Sequence, residues 1–204
     1  VPNRELLREA LVNRDFGPLL WNRLIFTGYP HFAETQMAAL YIPDWLPLLV
    51  LGALSAWSAT YVFHYALAAV GMYLFARRLG LDRPPSWLAA MAFMVSGQLV
   101  GALLAGQTLR TFAWLPWVLY ALQRWLRGGR PTWLVAAAVF HGLQLLAGYP
   151  HAALVSAVAI AVYGIFGAFG PDAPRSRLAG VAGVVGLLLL AAGLAAAQLV
   201  PLAA

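Results

Sequence analysis

Apolar residues run along this chain in blocks too long for a strand and too continuous for the one-sided helix of a soluble domain. Six blocks, at 56–76, 86–106, 111–127, 131–149, 151–169 and 178–199, approach or reach the length of about 20 residues that carries a helix across a bilayer. The third and fifth are short, and Pro116 and Pro150 predict a kink and a turn inside the membrane region rather than breaks in water. Ahead of them the pattern differs. Residues 3–13 set Leu6, Leu7, Ala10 and Leu11 against Arg4, Glu5, Arg8 and Glu9, the spacing of a short amphipathic helix lying along a membrane interface. Phe16 to Pro30 reads as a turn-rich loop. Pro43 and Asp44 then open a short apolar helix, Trp45 to Leu54, for which Asp44 is the expected cap. The pattern predicts an all-α protein: a polytopic transmembrane helix bundle over 56–204, preceded by an extracytoplasmic loop with short interfacial helices over 1–55.

Composition explains why lipid has to be the solvent. Of the 204 residues, 62% are hydrophobic and 10% are charged, where a soluble domain carries about 25% charged residues. Cysteine is absent, which excludes disulfides and thiolate metal sites. All 13 basic residues are arginine, and their distribution predicts the orientation. Arg77, Arg78 and Arg83 follow the first block, Arg124, Arg127 and Arg130 the third, and Arg175 and Arg177 the fifth. The alternate connections hold only Arg110 and the turn Gly148-Tyr149-Pro150-His151. This alternation is the positive-inside pattern, so the net charge of +6 belongs to cytoplasmic loops facing anionic lipid and does not argue for nucleic acid. Residues 1–55 then lie outside. The chain starts at Val1 without a signal peptide and stops as a span is ending, so it reads as an internal stretch of a longer membrane protein.

The few polar side chains in the apolar blocks gather toward the outer half. His64, Gln98, His141, Gln144, His151 and Gln198 lie there, and Gln107, Thr108, Arg110 and Thr111 form the second outer connection. Polar groups in a span face a bundle interior or a watery cavity. Taken singly, each can tie two helices by one hydrogen bond; taken together at one face, they predict a cavity open to the outside. Arg110 can bind a phosphate bidentately at the rim of such a cavity or snorkel to lipid headgroups. The tetrapeptide Gly-Tyr-Pro-His occurs at Gly28–His31 and again at Gly148–His151, both on the outer side. Each is a tight turn feeding a helix start, either plain punctuation or a pair presenting His31 and His151 to one site.

The stretch Leu20-Trp21-Asn22, Gly28-Tyr29-Pro30, Ala33-Glu34-Thr35-Gln36 and Tyr41-Ile42-Pro43 resembles the signature loop of the bacterial YfhO-like membrane proteins. The resemblance continues through Gly71-Met72-Tyr73, Arg77-Arg78-Leu79-Gly80-Leu81, Ser96-Gly97, Ala113-Trp114-Leu115-Pro116-Trp117 and Gly148-Tyr149-Pro150. Arg23 stands where proline usually follows Trp-Asn, and Ile42 replaces the first proline of a Tyr-Pro-Pro. That family is similar to the C-type glycosyltransferases, polytopic enzymes that take a sugar from a polyprenyl-phosphate carrier at the outer membrane face. The resemblance implies a bacterial cytoplasmic-membrane location and a lipid-linked sugar as donor. Membrane lipids and a cell-envelope glycan or polymer are the implied partners, with no metal ligand set to point to. It places the principal catalytic aspartate upstream of Val1. It leaves Glu34 as the catalytic candidate in this chain, orienting the acceptor or assisting that aspartate, or else merely charging a helix start. Arg110, His31, Gln107 and His151 are the candidate substrate contacts. Two other classes stay open. A transporter or lipid flippase also needs intramembrane His and Gln, although it favours helices broken at the midplane. A non-catalytic scaffold on the same fold would keep the packing motifs and lose the acids.

Overall fold

The computed structural model describes residues 2–21, 28, 34–101, 106–170 and 175–203, and every regular element among them is helical. Helix α1 spans Pro2–Asn13 and α2 spans Gly17–Leu20. Two single 3₁₀ turns, Thr35–Met37 and Ile42–Asp44, lead into α3, Trp45–Arg78. Then come α4 (Arg83–Met94), α5 (Gly97–Gly101), α6 (Gly106–Phe112) and α7 (Leu115–Leu126). The chain closes with α8 (Thr132–Leu146), α9 (Pro150–Ala168), α10 (Arg177–Leu194) and α11 (Ala196–Ala203).

Helix α3 is really two helices. Gly52 breaks it with φ 73° and ψ 169°, a backbone region open essentially to glycine alone. The short apolar helix expected from Trp45 is therefore present, and it ends at this glycine. The longer second piece buries Thr60, His64, Ala68, Gly71 and Phe75, a stripe at spacings of three and four.

Three helices, the one over Ile42–Arg78 together with α9 and α10, are long and apolar enough to cross a membrane, and α8 is a shorter apolar helix. The blocks at 86–106 and 111–127 are not single rods. The first divides into α4 and α5 around Val95 and Ser96, where Ser96 donates its N–H to Phe93 and its carbonyl takes the N–H of Leu99 and of Val100. The second starts only at Leu115, behind the separate α6 and a turn through Ala113 and Trp114. Pro116 has no N–H to offer and sits in the first turn of α7, where that costs nothing.

The outward faces are what lipid requires. Leu154, Val158 and Phe166 on α9 and Leu178, Leu189 and Leu194 on α10 are more than half exposed, a surface that water would not tolerate over such an area. Inside, α7 is the central post. Its Val118, Ala121, Leu122, Trp125 and Leu126 pack with Ala137 and Ala138 of α8, Ile160 of α9 and Val184 and Leu187 of α10. A second core joins α1 to the start of α3 through Leu7, Ala10, Leu48, Ala53 and Ala56, so the amphipathic face read from residues 3–13 is buried against protein.

The bundle has two chemically different ends. Arg175 donates to the carbonyls of Trp125 (3.0 Å) and Gly129 (2.7 Å), tying the connection before α10 to the one after α7. Tyr163 donates to Gln123 at 2.9 Å and meets the ring of Phe75, which brings the arginine-bearing end of α3 to the same place. At the far end of α8, about 22 Å away for 15 residues, the turn at Gly148 packs on the 3₁₀ turn Thr35–Met37. Gly148 is left-handed (φ 98°), and a Cβ there would lie 2.8 Å from the Thr35 carbonyl oxygen.

Helices α9 and α10 approach closely because small residues face each other. A Cβ on Gly180 would lie 2.4 Å from Cβ of Ala168 and 3.3 Å from its Cα, so no rotamer change can make room. Gly180→Val is expected to destabilise the protein by about 1–3 kcal/mol, read as a lowered thermal midpoint in detergent. An unchanged midpoint would mean that the two helices are not in this contact.

Candidate functional site

The end opposite the arginine-rich connections holds a buried ionic cluster drawn from three distant parts of the chain. Asp44 is the only buried carboxylate among the described residues. Its Oδ2 accepts from Arg4 Nη2 at 2.7 Å and from Arg110 Nη1 at 2.6 Å, and its Oδ1 accepts from the Thr60 hydroxyl at 3.2 Å. Arg4 also donates through Nη1 to Thr60 at 3.4 Å and lies 4.8 Å over the ring of Trp57. Asp44 occupies the cap position of α3 yet makes no capping bond. Two charge-assisted hydrogen bonds outweigh one to a neutral backbone N–H, so its expected role as a helix cap is corrected here.

Two guanidiniums share one carboxylate oxygen, which leaves the cluster with a charge of +1. The side chains of Arg4, Arg110 and Asp44 are only 12%, 6% and 5% exposed. An excess positive charge is costly in such a place. Burial accordingly pushes the Arg4 guanidinium below its ordinary value, against the opposing pull of Asp44 and with the help of Arg110. Arg110 Nε is buried without a partner, so donors as well as charge remain unspent.

Beside the cluster runs a neutral chain of hydrogen bonds whose direction is fixed. The Thr60 carbonyl can only accept, so His64 carries its proton on Nδ1 (2.7 Å) and accepts at Nε2 from the Tyr41 hydroxyl. The Tyr41 oxygen in turn takes the indole N–H of Trp114 at 2.7 Å. Burial raises the Tyr41 phenol well above its usual value, so it stays protonated.

The other polar residues of the apolar blocks divide into two groups. His141 donates to Gln144 Oε1 at 2.8 Å, and Gln144 donates to the Thr111 carbonyl (2.9 Å) and the Ser156 hydroxyl (3.1 Å). Gln198 donates to the Thr35 carbonyl at 3.2 Å. These three, with His64, are buried and bonded within the protein. Gln98 and His151 are exposed and line one cavity.

The expected site residues are not all brought together. Arg110 joins Asp44 as described. Gln107, one turn earlier on α6, donates to Gln36 at 3.4 Å. Glu34 starts the 3₁₀ turn Thr35–Met37, accepting the N–H of Gln36 at 3.1 Å. His151 stands in the first turn of α9, with Pro150 before it as anticipated. His31 lies outside the described residues, as does the pairing of the two Gly-Tyr-Pro-His turns: of the first only Gly28 is described, against Trp21, while Gly148 of the second lies against Thr35 and Ala38. Among the described residues no group of three His, Asp or Glu side chains is set to hold a metal ion.

No protein-family model, curated protein or solved structure matches this chain. Two arginines held by one carboxylate form a desolvated cluster short of one negative charge. An anion such as phosphate can supply that charge and several acceptor oxygens at once.

In the sequence Arg4 belongs to the polar face of an amphipathic helix and Asp44 to a helix cap, so neither stands out as a site residue. One signal was available: an acid and an arginine, each the sole charge of its sign at the rim of an apolar block, are expected to seek each other.

Proposed function

We propose that this chain receives the phosphate of a polyprenyl-phosphate sugar in a membrane glycosyltransferase that passes the sugar to a cell-envelope acceptor at the outer face of a bacterial cytoplasmic membrane. The observation that carries the reading is the +1 charge of the buried Arg4–Asp44–Arg110 cluster, with Arg110 Nε unpartnered. The resemblance to YfhO-like proteins supports it, and the six apolar blocks are read as six crossings with residues 1–55 outside.

In this reading Asp44 holds both guanidiniums in place before substrate arrives. As the glycosidic bond breaks, negative charge grows on the departing phosphate, and the fixed cations meet it without reorganising. Arg110 supplies the deeper contact and Arg4 the outer one. A carboxylate of the outer loop serves as base for the acceptor hydroxyl. Glu34 is close to this end but already caps a turn, which suits it to orienting the acceptor.

The reaction is tested by supplying membranes that hold the protein with a polyprenyl-phosphate sugar and following release of polyprenyl phosphate. No release above membranes lacking the protein defeats the reading. Sidedness is tested separately. Cysteines at the exposed Thr132 and Ser176 are expected to react only from the cytoplasm, and one at the exposed Gln36 only from outside. Labelling of Gln36→Cys and Thr132→Cys from the same side contradicts the orientation.

A further inference from the structure

The cavity that Gln98 and His151 share lies on the other side of α6 from the ionic cluster. Arg110 reaches Asp44, while Phe112, two residues on, helps to line the cavity with Gln98, Tyr149, His151, Ala152 and Val155. Its volume is about 490 Å³, within the range of small-molecule sites. No described charged side chain lines it. Two aromatic rings and two small apolar side chains provide its walls, and an amide and an imidazole provide its polar groups.

Among the described residues neither polar group is used by the fold. Gln98 makes no hydrogen bond to another described residue. Among the described residues His151 meets only the ring of Tyr149, at 6.0 Å between centroids, and neither ring nitrogen is hydrogen-bonded to them. This contrasts with His64, His141, Gln144 and Gln198, which are all bonded within the protein. The difference separates a site from a helix tie.

We propose that this cavity binds a neutral saccharide. A sugar ring offers an apolar C–H face and a rim of hydroxyls. Phe112 and Tyr149 match the first by stacking, and the amide of Gln98 and the imidazole of His151 match the second, each able to donate and to accept. The absence of a lining charge selects against sugar acids and amines. The assignment rests on the transferase reading for its biological sense: the donor's sugar is bonded directly to its phosphate, so a saccharide site on the far face of α6 suits the acceptor glycan and not the donor's own sugar.

The test uses the purified full chain in lipid nanodiscs and a panel of neutral methyl glycosides, with binding read by saturation-transfer NMR. At least one glycoside is expected to bind, and Gln98→Leu and His151→Phe are each expected to weaken it about tenfold. Both side chains are exposed, so neither substitution threatens the fold. Binding that survives both substitutions, or no binding by any glycoside, overturns the assignment. If glycosides bind in this way but the carrier is never turned over, the cavity stands and the transferase reading falls. If the carrier is turned over with unchanged KM in both variants, the reverse holds.

Discussion

Asp44→Ala is expected to cost about 3 kcal/mol of stability, because it strands the buried Arg110 guanidinium with no counter-charge and frees the part-buried Arg4. The loss would be read as a lowered thermal midpoint in detergent. Removing a charge together with its partner is gentler than removing one alone. The double variant Asp44→Leu/Arg110→Leu is therefore expected to be more stable than Asp44→Ala, since Arg4, at 12% exposure, can turn outward to water. Wild-type stability in Asp44→Ala would mean that the cluster does not hold α1, α3 and α6 together.

Arg110→Ala is expected to have the largest effect on activity, lowering sugar release from the carrier on the order of a hundredfold. It removes the deeper cation but leaves Asp44 paired to Arg4, so the cluster becomes neutral and the fold suffers less than in Asp44→Ala. Arg110→Lys keeps the charge and loses the planar fork, and only partial recovery is expected. The comparison is made at matched folded protein. Wild-type turnover in Arg110→Ala would reduce Arg110 to a structural ion-pair partner and move the phosphate site elsewhere.

Much of the fold was legible in the pattern of residues, and the reasons are local. The periodicity of residues 3–13, the apolar runs of α9 and α10, and Pro150 at a helix start each act within a few residues. The division of 86–106 was harder to see. Ser96 and Gly97 interrupt an otherwise apolar run, and hydropathy averaged over a window does not register a single turn of backbone. The candidate site was legible only in part. Arg110 stood out because positive charge is rare on that side. Its partner lies 66 residues away and Arg4 lies 40 residues from Asp44, separations at which no periodicity operates. The sequence gathers the polar residues of the apolar blocks into one cluster, whereas the structure separates them by satisfaction: His64, His141, Gln144 and Gln198 are bonded within the protein, and among the described residues Gln98 and His151 have no such bond. Which polar group is left over depends on packing, and a single sequence does not contain it.

The central claim is that a phosphate completes the charge of the Arg4–Asp44–Arg110 cluster. Its most direct test is the binding of polyprenyl phosphate against the uncharged polyprenol of equal length, measured by native mass spectrometry on the detergent-solubilised protein. The apolar chain is common to both ligands, so only the headgroup differs. The wild type is expected to prefer the phosphate by about a hundredfold or more, and Arg110→Ala to lose most of that preference while binding polyprenol unchanged. Equal affinity of the wild type for the two ligands would contradict the claim.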